Sequence, residues 1–479
     1  MERFMRHNSL LFMGLLICFA SPLPKAGIRA GEWSRFRGPD GTGVAADEVL
    51  PTELDAEKSL KWKVPAGKGA SSPVVVGGRV FLTAFDGEDR FIACINIETG
   101  QKLWSKSVRA KRKEVATPPG GPANPTPVAD ESSVYAFFPD AGLFCFSHDG
   151  EQRWQVEVGP FHSFHGIAAS LVLADGKVFV LSDQLQDSYL AAFDRQNGDE
   201  AWRATRLDGP IGGYSTPATR VTSKGLTELV VSGPIEVVGY DVASGARNWF
   251  LENVTNAPIS VPVVGDDEVF VCEPSFTENP FPIDALLRHD KNDDGELSFE
   301  ELESQIQLHR VAKRVDESWG NRDGKINKEE VEAAFKGFIG GGGLVAIQLD
   351  ESQPEVKARV KWAYRKSVPQ IPAPLLLNDV LFIVNDGGIL SSVDRNTGEV
   401  IKRGRLEPGG SFYASPVAAA GKLFLVDTDG NLTVVSGEGE WKILATSQLN
   451  EPCFATPAIA GGRIFIRGES NLYCFGEAS

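Results

Sequence analysis

Twelve consecutive residues, Asp290-Lys291-Asn292-Asp293-Asp294-Gly295-Glu296-Leu297-Ser298-Phe299-Glu300-Glu301, put oxygen-bearing side chains at alternate positions around a central glycine. A hard divalent cation prefers such carboxylate, amide and hydroxyl oxygens, and no other stretch of the chain assembles as many. A thinner run follows, with Asn321, Asp323, Lys325, Asn327 and Glu330 around Gly324, and with Ile326 standing where Leu297 stands in the first. The remaining chemistry is sparse. His162 and His165 lie three apart in a loop with no nearby cysteine or fixed helical face, and read as ordinary loop histidines. No Gly-x-Ser-x-Gly elbow or catalytic triad can be read. Sixty-four acidic against 48 basic residues leave a net charge of -16, which argues against nucleic acid as a partner because phosphate binding draws on a basic surface. The one basic cluster, Arg109 to Lys113, reads as a solvated loop, with an anionic partner as the sharper alternative.

The elements that position these residues belong to a repeat. From Ser72 to Trp104 four short apolar runs are separated by Gly77-Gly78 and Thr99-Gly100, residues that supply the positive φ angles of tight hairpins. Glycine followed four residues later by tryptophan recurs as Gly100/Trp104, Gly150/Trp154, Gly198/Trp202, Gly245/Trp249 and Gly437/Trp441. The opening run begins at Pro73, Pro127, Pro217, Pro262, Pro374, Pro416 and Pro457, with Ser170-Leu171-Val172 in the same place without proline, which makes eight copies. A four-stranded unit of roughly 40 residues is the size of a propeller blade. The fold expected is all-β, an eight-bladed β-propeller over residues 60–479. Cys94, Cys145 and Cys474 share a slot that other copies fill with Ala192, Gly239, Ala346 and Ser392, so they read as buried thiols in a small-residue packing position.

Leu60-Lys61-Trp62-Lys63-Val64 resembles a fourth strand without its first three, and the last copy stops at Phe475 without its fourth. Pairing the two would close the ring and remove its open edges. Residues 31–59, rich in turn formers, are expected to pack on the propeller as an arm. Arg3 and Arg6, an apolar run from Leu10 to Ala20 and a small-residue region up to Ala30 have the order of a signal peptide spanning residues 1–30, cut between 20 and 30. Leu15-Leu16-Ile17 before Cys18 lacks the small residue of a lipid-anchor site. From 275 to 341 helical spacing replaces strand pattern, an insertion between the second and third strands of blade five.

The twelve-residue run resembles the EF-hand family over its full loop. That resemblance implies calcium held by Asp290, Asn292, Asp294, the carbonyl of Glu296, Ser298 and bidentate Glu301, with Gly295 at the sharp turn. It implies a partner loop using Asn321, Asp323, the carbonyl of Lys325, Asn327 and Glu330. The first position of that second loop is Trp319, which offers no oxygen, and Asp316 reaches in only if the loop is longer than the family pattern. Ile283 to His289 would form the entering helix and Phe299 to about Val315 the exiting one. The repeats, through Ser-Pro-Val-Val, Gly-Gly-x-Val-Phe and Thr-Gly-x-x-x-Trp, resemble the quinoprotein-type propellers. That group includes pyrroloquinoline-quinone (PQQ) dehydrogenases and a non-catalytic scaffold of outer-membrane protein assembly. The dehydrogenases pair the quinone with adjacent cysteines, a tryptophan floor and an aspartate base beside calcium. This sequence has no adjacent cysteines and no aspartate matching the base by motif.

The function expected is therefore that of an exported, periplasmic or extracellular, calcium-binding scaffold without enzymatic activity. It would act as a monomer with no transmembrane segment in the mature chain. It would recognise a protein, peptide or glycan on the loop face that carries the insertion. The alternative is a PQQ-dependent oxidoreductase with diverged cofactor contacts.

Overall fold

Eight antiparallel four-stranded sheets follow one another along the chain in a computed structural model that describes residues 31–45, 47–209, 211–274, 287–334 and 342–477. The proposed signal peptide and Cys18 lie outside the described residues. Within a blade the second and third strands are buried on both faces, as in Ser133–Phe138 and Gly142–Ser147, because neighbouring blades cover them. Fourth strands such as Lys102–Arg109 and Val400–Arg405 are largely exposed and carry alternating polar residues. The small-residue slot is real. Cys94, Cys145 and Cys474 sit opposite Phe81, Tyr135 and Phe465 of their second strands, and opposite Trp104, Trp154 and Trp62 of their fourth. Two aromatic rings flank each one, which leaves room only for a small side chain, and all five described cysteines are free and buried.

The tryptophans join blade to blade. Trp62 Nε1 donates to Ile97 O at 2.9 Å, Trp104 to His148 O, Trp154 to Arg195 O, Trp202 to Val242 O and Trp362 to Arg395 O, each in the next blade. The six-membered half of each indole lies on the turn glycine that follows: a Cβ at Gly100 would stand 2.8 Å from Trp62 and one at Gly398 2.6 Å from Trp362. These glycines also adopt φ near +70 to +80°, so both the turn and the contact exclude other residues. Two joints differ. Blade five lacks the turn glycine, and Trp249 donates instead to Glu228 in its own blade, where a buried Arg220–Glu228 pair reaches Glu351 of blade five. Trp441 was expected in a fourth strand, but that strand is Ile443–Gln448, and Ala445 fills the slot opposite Val434. The turn there runs one residue longer than in blades one, three, four and six, and Trp441 folds back onto blade six beside Lys402.

Leu60–Pro65 pairs antiparallel with Asn471–Gly476 and completes blade eight, so the ring closes through the expected non-covalent pairing. The arm does more than pack on the surface. Ser34 O accepts from Ala129 N of blade two, Arg35 Nη2 donates to Thr219 of blade four, and Arg37 donates to Ala373 O and Pro374 O of blade six. Blades two and six face each other across an eight-membered ring, so Ser34 to Arg37 spans its diameter. Val44–Ala45 then adds a parallel fifth strand to blade seven, and Glu48 caps the N–H groups of Gly461 and Gly462 in blade eight.

The insertion leaves the propeller after Glu268–Glu273 and returns at Gly343–Asp350, the second and third strands of blade five. Its described part holds helix α1 (Ile306–Trp319), helix α2 (Lys328–Ala334) and a two-stranded ladder pairing Leu297 with Ile326. The exiting helix expected from Phe299 begins only at Ile306, because consecutive turns at Glu303 and Gln305 intervene. Most of the entering helix lies outside the described residues. At the root of the insertion Glu273 is fully buried without a cation. Its two oxygens find no hydrogen bond of normal geometry, although the backbone amides of Asn256 and Ala257 approach it, and burial pushes its carboxyl up to about 8.

Two expectations follow. Deleting residues 31 to 64 removes Trp33, Leu50, Leu54, Trp62 and the fourth strand of blade eight, and should lower the melting temperature by about 10 °C or more, or cause aggregation. A soluble truncated protein that melts like the parent would contradict this architecture. For Glu273 the folded carboxyl holds a proton that the unfolded one has released between pH 4.5 and about 8, so its contribution to stability is present below pH 4.5 and declines as pH rises through that window. Glu273→Gln should therefore stabilise at pH 9 by roughly 2–4 kcal/mol and be nearly neutral at pH 4, as read by denaturant melts at both pH values.

Candidate functional site

The ring axis is a shaft whose wall comes from the residues that precede each first strand. Ser72, Thr126, Ser170, Thr216, Val261, Ala373, Ser415 and Thr456 line it, one per blade. Neighbours are linked: Ser72 N donates to Thr126 Oγ1, Thr126 N to Ser170 Oγ, Ser170 N to Thr216 Oγ1, Ala373 N to Ser415 Oγ and Ser415 N to Thr456 Oγ1, all within 3.0 Å. A hydroxyl just before the opening proline thus satisfies a backbone N–H of the preceding blade that would otherwise be buried alone. The recurring Ser-Pro and Thr-Pro steps were the sequence signal for this ring, although alone they mark only strand starts. The shaft encloses about 160 Å³, and Phe36 of the arm lines its lower end.

Above the shaft the axis widens into a mouth of about 750 Å³, lined by residues 110–122, His165, Tyr214, Ile259, Ile371, Tyr413 and Phe454 among others. Tyr413 meets Phe454 edge to face at 5.7 Å, and Tyr214 stands 5.7 Å from His165. Phe412, next to Tyr413 in sequence, is buried in the core of blades six and seven. The carboxylates of the mouth are already engaged. Arg90 holds Asp140 at 2.6 Å in a buried pair, Arg112 holds Glu114 at 2.6 Å, and His165 Nδ1 lies 3.0 Å from Thr117 Oγ1. In the basic cluster Arg109 pairs with Glu88 and Lys111 approaches Glu157.

The insertion stands on the rim beside this mouth. Leu297, Val311, Val315, Ile326 and Val331 form its own small core, which continues onto Leu185, Phe164 and Ile211 of the blade-three and blade-four loops. Arg314 of α1 pairs with Asp208 at 2.9 Å, and Asp208 also accepts from Ser188 N. Beneath them the fully buried Asp183–Arg206 pair, with Tyr240 on the second guanidinium nitrogen, fixes the loops that carry the insertion.

Within the insertion the expected residues converge in both loops. In the first, Asp290 Oδ2 accepts from Gly295 N, Asn292 Nδ2 donates to Asp294, and Glu301 bridges Lys291 N with Ser298 N and Oγ. Those backbone donors, Ser298 first, hold the Glu301 carboxyl down at about 2. The second loop repeats the scheme, with Glu330 accepting from Asn321 N and Asn327 N, and Asn321 Nδ2 donating to Asp323. Its Gly324 N donates to Asp316 Oδ2 at 3.0 Å, as Gly295 N does to Asp290. Asp316, buried at the end of α1, thus takes the place that Trp319 leaves without oxygen, and the loop is three residues longer than its neighbour. Among the described residues no three His, Cys, Asp or Glu side chains form a ready metal cluster. The donor set is one of carboxylates mixed with amide, hydroxyl and carbonyl oxygens, which suits a hard cation. Glu296 and Lys325 pair with each other across the two loops, leaving their carbonyls to the seventh positions.

The axis does not suit the quinone. Neither the shaft nor the mouth is lined by a cysteine or tryptophan, and no carboxylate lines the shaft. Solved structures show the same architecture: BamB from Moraxella catarrhalis (TM-score 0.54, 11% identity, 88% of this chain and 99% of that one) and a europium-containing methanol dehydrogenase (TM-score 0.60, 9% identity, 94% and 98%). At such identities they speak for the fold alone. A curated protein named outer membrane protein assembly factor BamB, from Alkalilimnicola ehrlichii, is 31% identical over 143 residues, 30% of this chain and 34% of that protein, so the match spans about a third of the relative's length. The family model described as outer membrane protein assembly factor BamB matches residues 44–186, 118–276, 186–435 and 357–473, and with repeats matched around almost the whole ring the chain belongs to this family of PQQ-like repeat propellers.

Proposed function

We propose that this protein is an exported, non-enzymatic scaffold that binds a protein segment at the mouth of its axis, beside an insertion that takes up calcium. The observation that carries this reading is the state of the mouth: its carboxylates are each held by an arginine, and most of what remains is aromatic, proline and glycine surface. General acid–base catalysis needs a group within reach of substrate and free to exchange a proton. Polypeptide recognition needs aromatic anchors in a concave site. The family description and the name of the curated relative point the same way, toward an assembly factor outside the cytoplasm. No helix of the described residues is long and apolar enough to cross a membrane. In the insertion Asp290, Asn292, Asp294, Ser298 and Glu301 would hold one ion, with the carbonyl of Glu296. Asp316, Asn321, Asp323, Asn327 and Glu330 would hold a second with the carbonyl of Lys325.

Calorimetry of the metal-free protein with calcium should resolve two binding events. Glu301→Ala should weaken one of them by about tenfold or more and Asp316→Ala the other, while each leaves its neighbour in place. An isotherm that neither variant alters would remove calcium from the insertion. For the scaffold, a photo-crosslinking residue at Tyr413 should capture a cell-envelope protein that the same residue at Phe250, exposed on the outer strand of blade four, does not. Capture of PQQ as a bound chromophore, with dye reduction by alcohols, would instead establish an oxidoreductase.

A further inference from the structure

The six hydroxyls of the shaft are half used. Ser72, Thr126, Ser170, Thr216, Ser415 and Thr456 are at least nine-tenths buried, and the oxygens of all but Ser72 accept from a neighbouring blade. Among the described residues none of the six donates its own proton to a protein acceptor. A hydroxyl carries one O–H and two lone pairs, so each of these retains a donor, and the space left for an acceptor is the shaft.

The charge around the shaft has the sign that such donors favour. No carboxylate lines it, while two buried guanidinium groups stand one layer behind its wall. Arg37 donates to the carbonyls of Ala373 and Pro374, and Arg467 donates to Ser71 and to the carbonyls of Thr83 and Gly67. Neither makes an ion pair within 4 Å among the described residues; Asp40 acts on Arg37 only through space, and the Nε of Arg467 has no hydrogen-bond partner. Burial draws Arg37 down to about 10 and Arg467 to about 9, so both remain charged at neutral pH. In a chain of net charge -16 this is a local reversal of sign. A buried cation without an anion is costly, and an anion delivered to the shaft would offset that cost.

The shape then selects among anions. Because Ser34 to Arg37 crosses the lower end, the shaft opens only upward, through a mouth lined by Tyr214, Tyr413 and Phe454. A continuous loop cannot thread a closed shaft, but a chain end can enter it. We infer that the shaft receives the free C-terminal carboxylate of an extended polypeptide, its oxygens toward the hydroxyl ring and its last side chains against the aromatic mouth. This inference rests on the scaffold reading and specifies its ligand.

The test uses the full-length purified protein and two pools of short peptides with randomised last residues, identical except that one ends in a free carboxylate and the other in an amide. Retention is read by mass spectrometry. The free-acid pool should be enriched by about tenfold or more, the scale of a lost charge-assisted hydrogen bond, and the enrichment should fall as salt is raised. Ala168→Phe fills the shaft from a wall position that makes no side-chain hydrogen bond, and should abolish the enrichment; Ala70→Phe, from another blade, does the same should the first variant melt early. Equal retention of the two pools, retention that survives both variants, or no retention of either pool at about millimolar peptide would each overturn the inference. If crosslinking from Tyr413 still captures its protein in that case, the chain-end inference falls while the scaffold reading stands; if capture fails as well, both fall.

Discussion

The contact on which the ring depends is an indole laid across a glycine turn. Each such joint combines an N–H···O=C bond of about 2.8–3.1 Å with burial of a large aromatic face, and it ties the outer strand of one blade to the outer hairpin of the next. Loss of a fully buried tryptophan costs about 3–5 kcal/mol; Trp62 and Trp154 are buried and Trp104, Trp202 and Trp362 half-buried, so each of these three contributes less, and it is the five together that hold the sheets at fixed spacing. The geometry is reciprocal. A Cβ on the glycine would strike the ring, and a smaller ring would leave the turn carbonyl unpaired. Where the glycine is missing, between blades four and five, the chain uses buried charge instead, and that is the blade that also carries the insertion.

What the ring holds in place is an axis with unlike ends. The arm closes one end with Phe36 and two buried arginines, and the other end opens among aromatic side chains. The insertion leans on the rim of the open end through Leu185 and through Phe164 and Ile211, which stand close in sequence to His165 and Tyr214 of the mouth. The fold thereby gathers loops from distant repeats around one opening, while the outer strands remain plain and polar.

Much of this was legible in the sequence because the repeat is local. Gly100/Trp104 and its counterparts, the opening prolines and the unpaired strand at Trp62 gave the blade count, the closure and the place of the insertion. Reading failed where partners are remote or a turn changes length. Gly437/Trp441 has the right spacing, but Gly437 opens the turn instead of closing it, and with one extra turn residue the slot falls to Ala445. Trp319 occupies the expected ligand position by count, and only the lengthened loop returns Asp316 to it. Arg35 and Arg37 sit in a turn-rich segment that reads as surface, and nothing nearby in sequence signals that their acceptors lie in blades four and six. The hydroxyls before the prolines were visible as strand starts, but their convergence on one axis is a property of the closed ring.

The arm's path across the ring also sets the order in which the molecule can be completed. Arg37 bonds to a carbonyl 336 residues later, and Glu48 to an amide 413 residues later. At about 5–20 residues per second the ribosome takes roughly 20–80 s to make the distance between Glu48 and Gly461, and for that time the arm has no site on which to dock. Blades one to seven can form as they emerge, because each needs only its neighbours. Blade eight cannot, since its fourth strand was made first. The nascent chain therefore carries an exposed strand at each end of an unfinished arc, a state prone to pairing with other chains, and cells that make this protein quickly would be expected to depend on a chaperone that shields those edges until the last strand arrives.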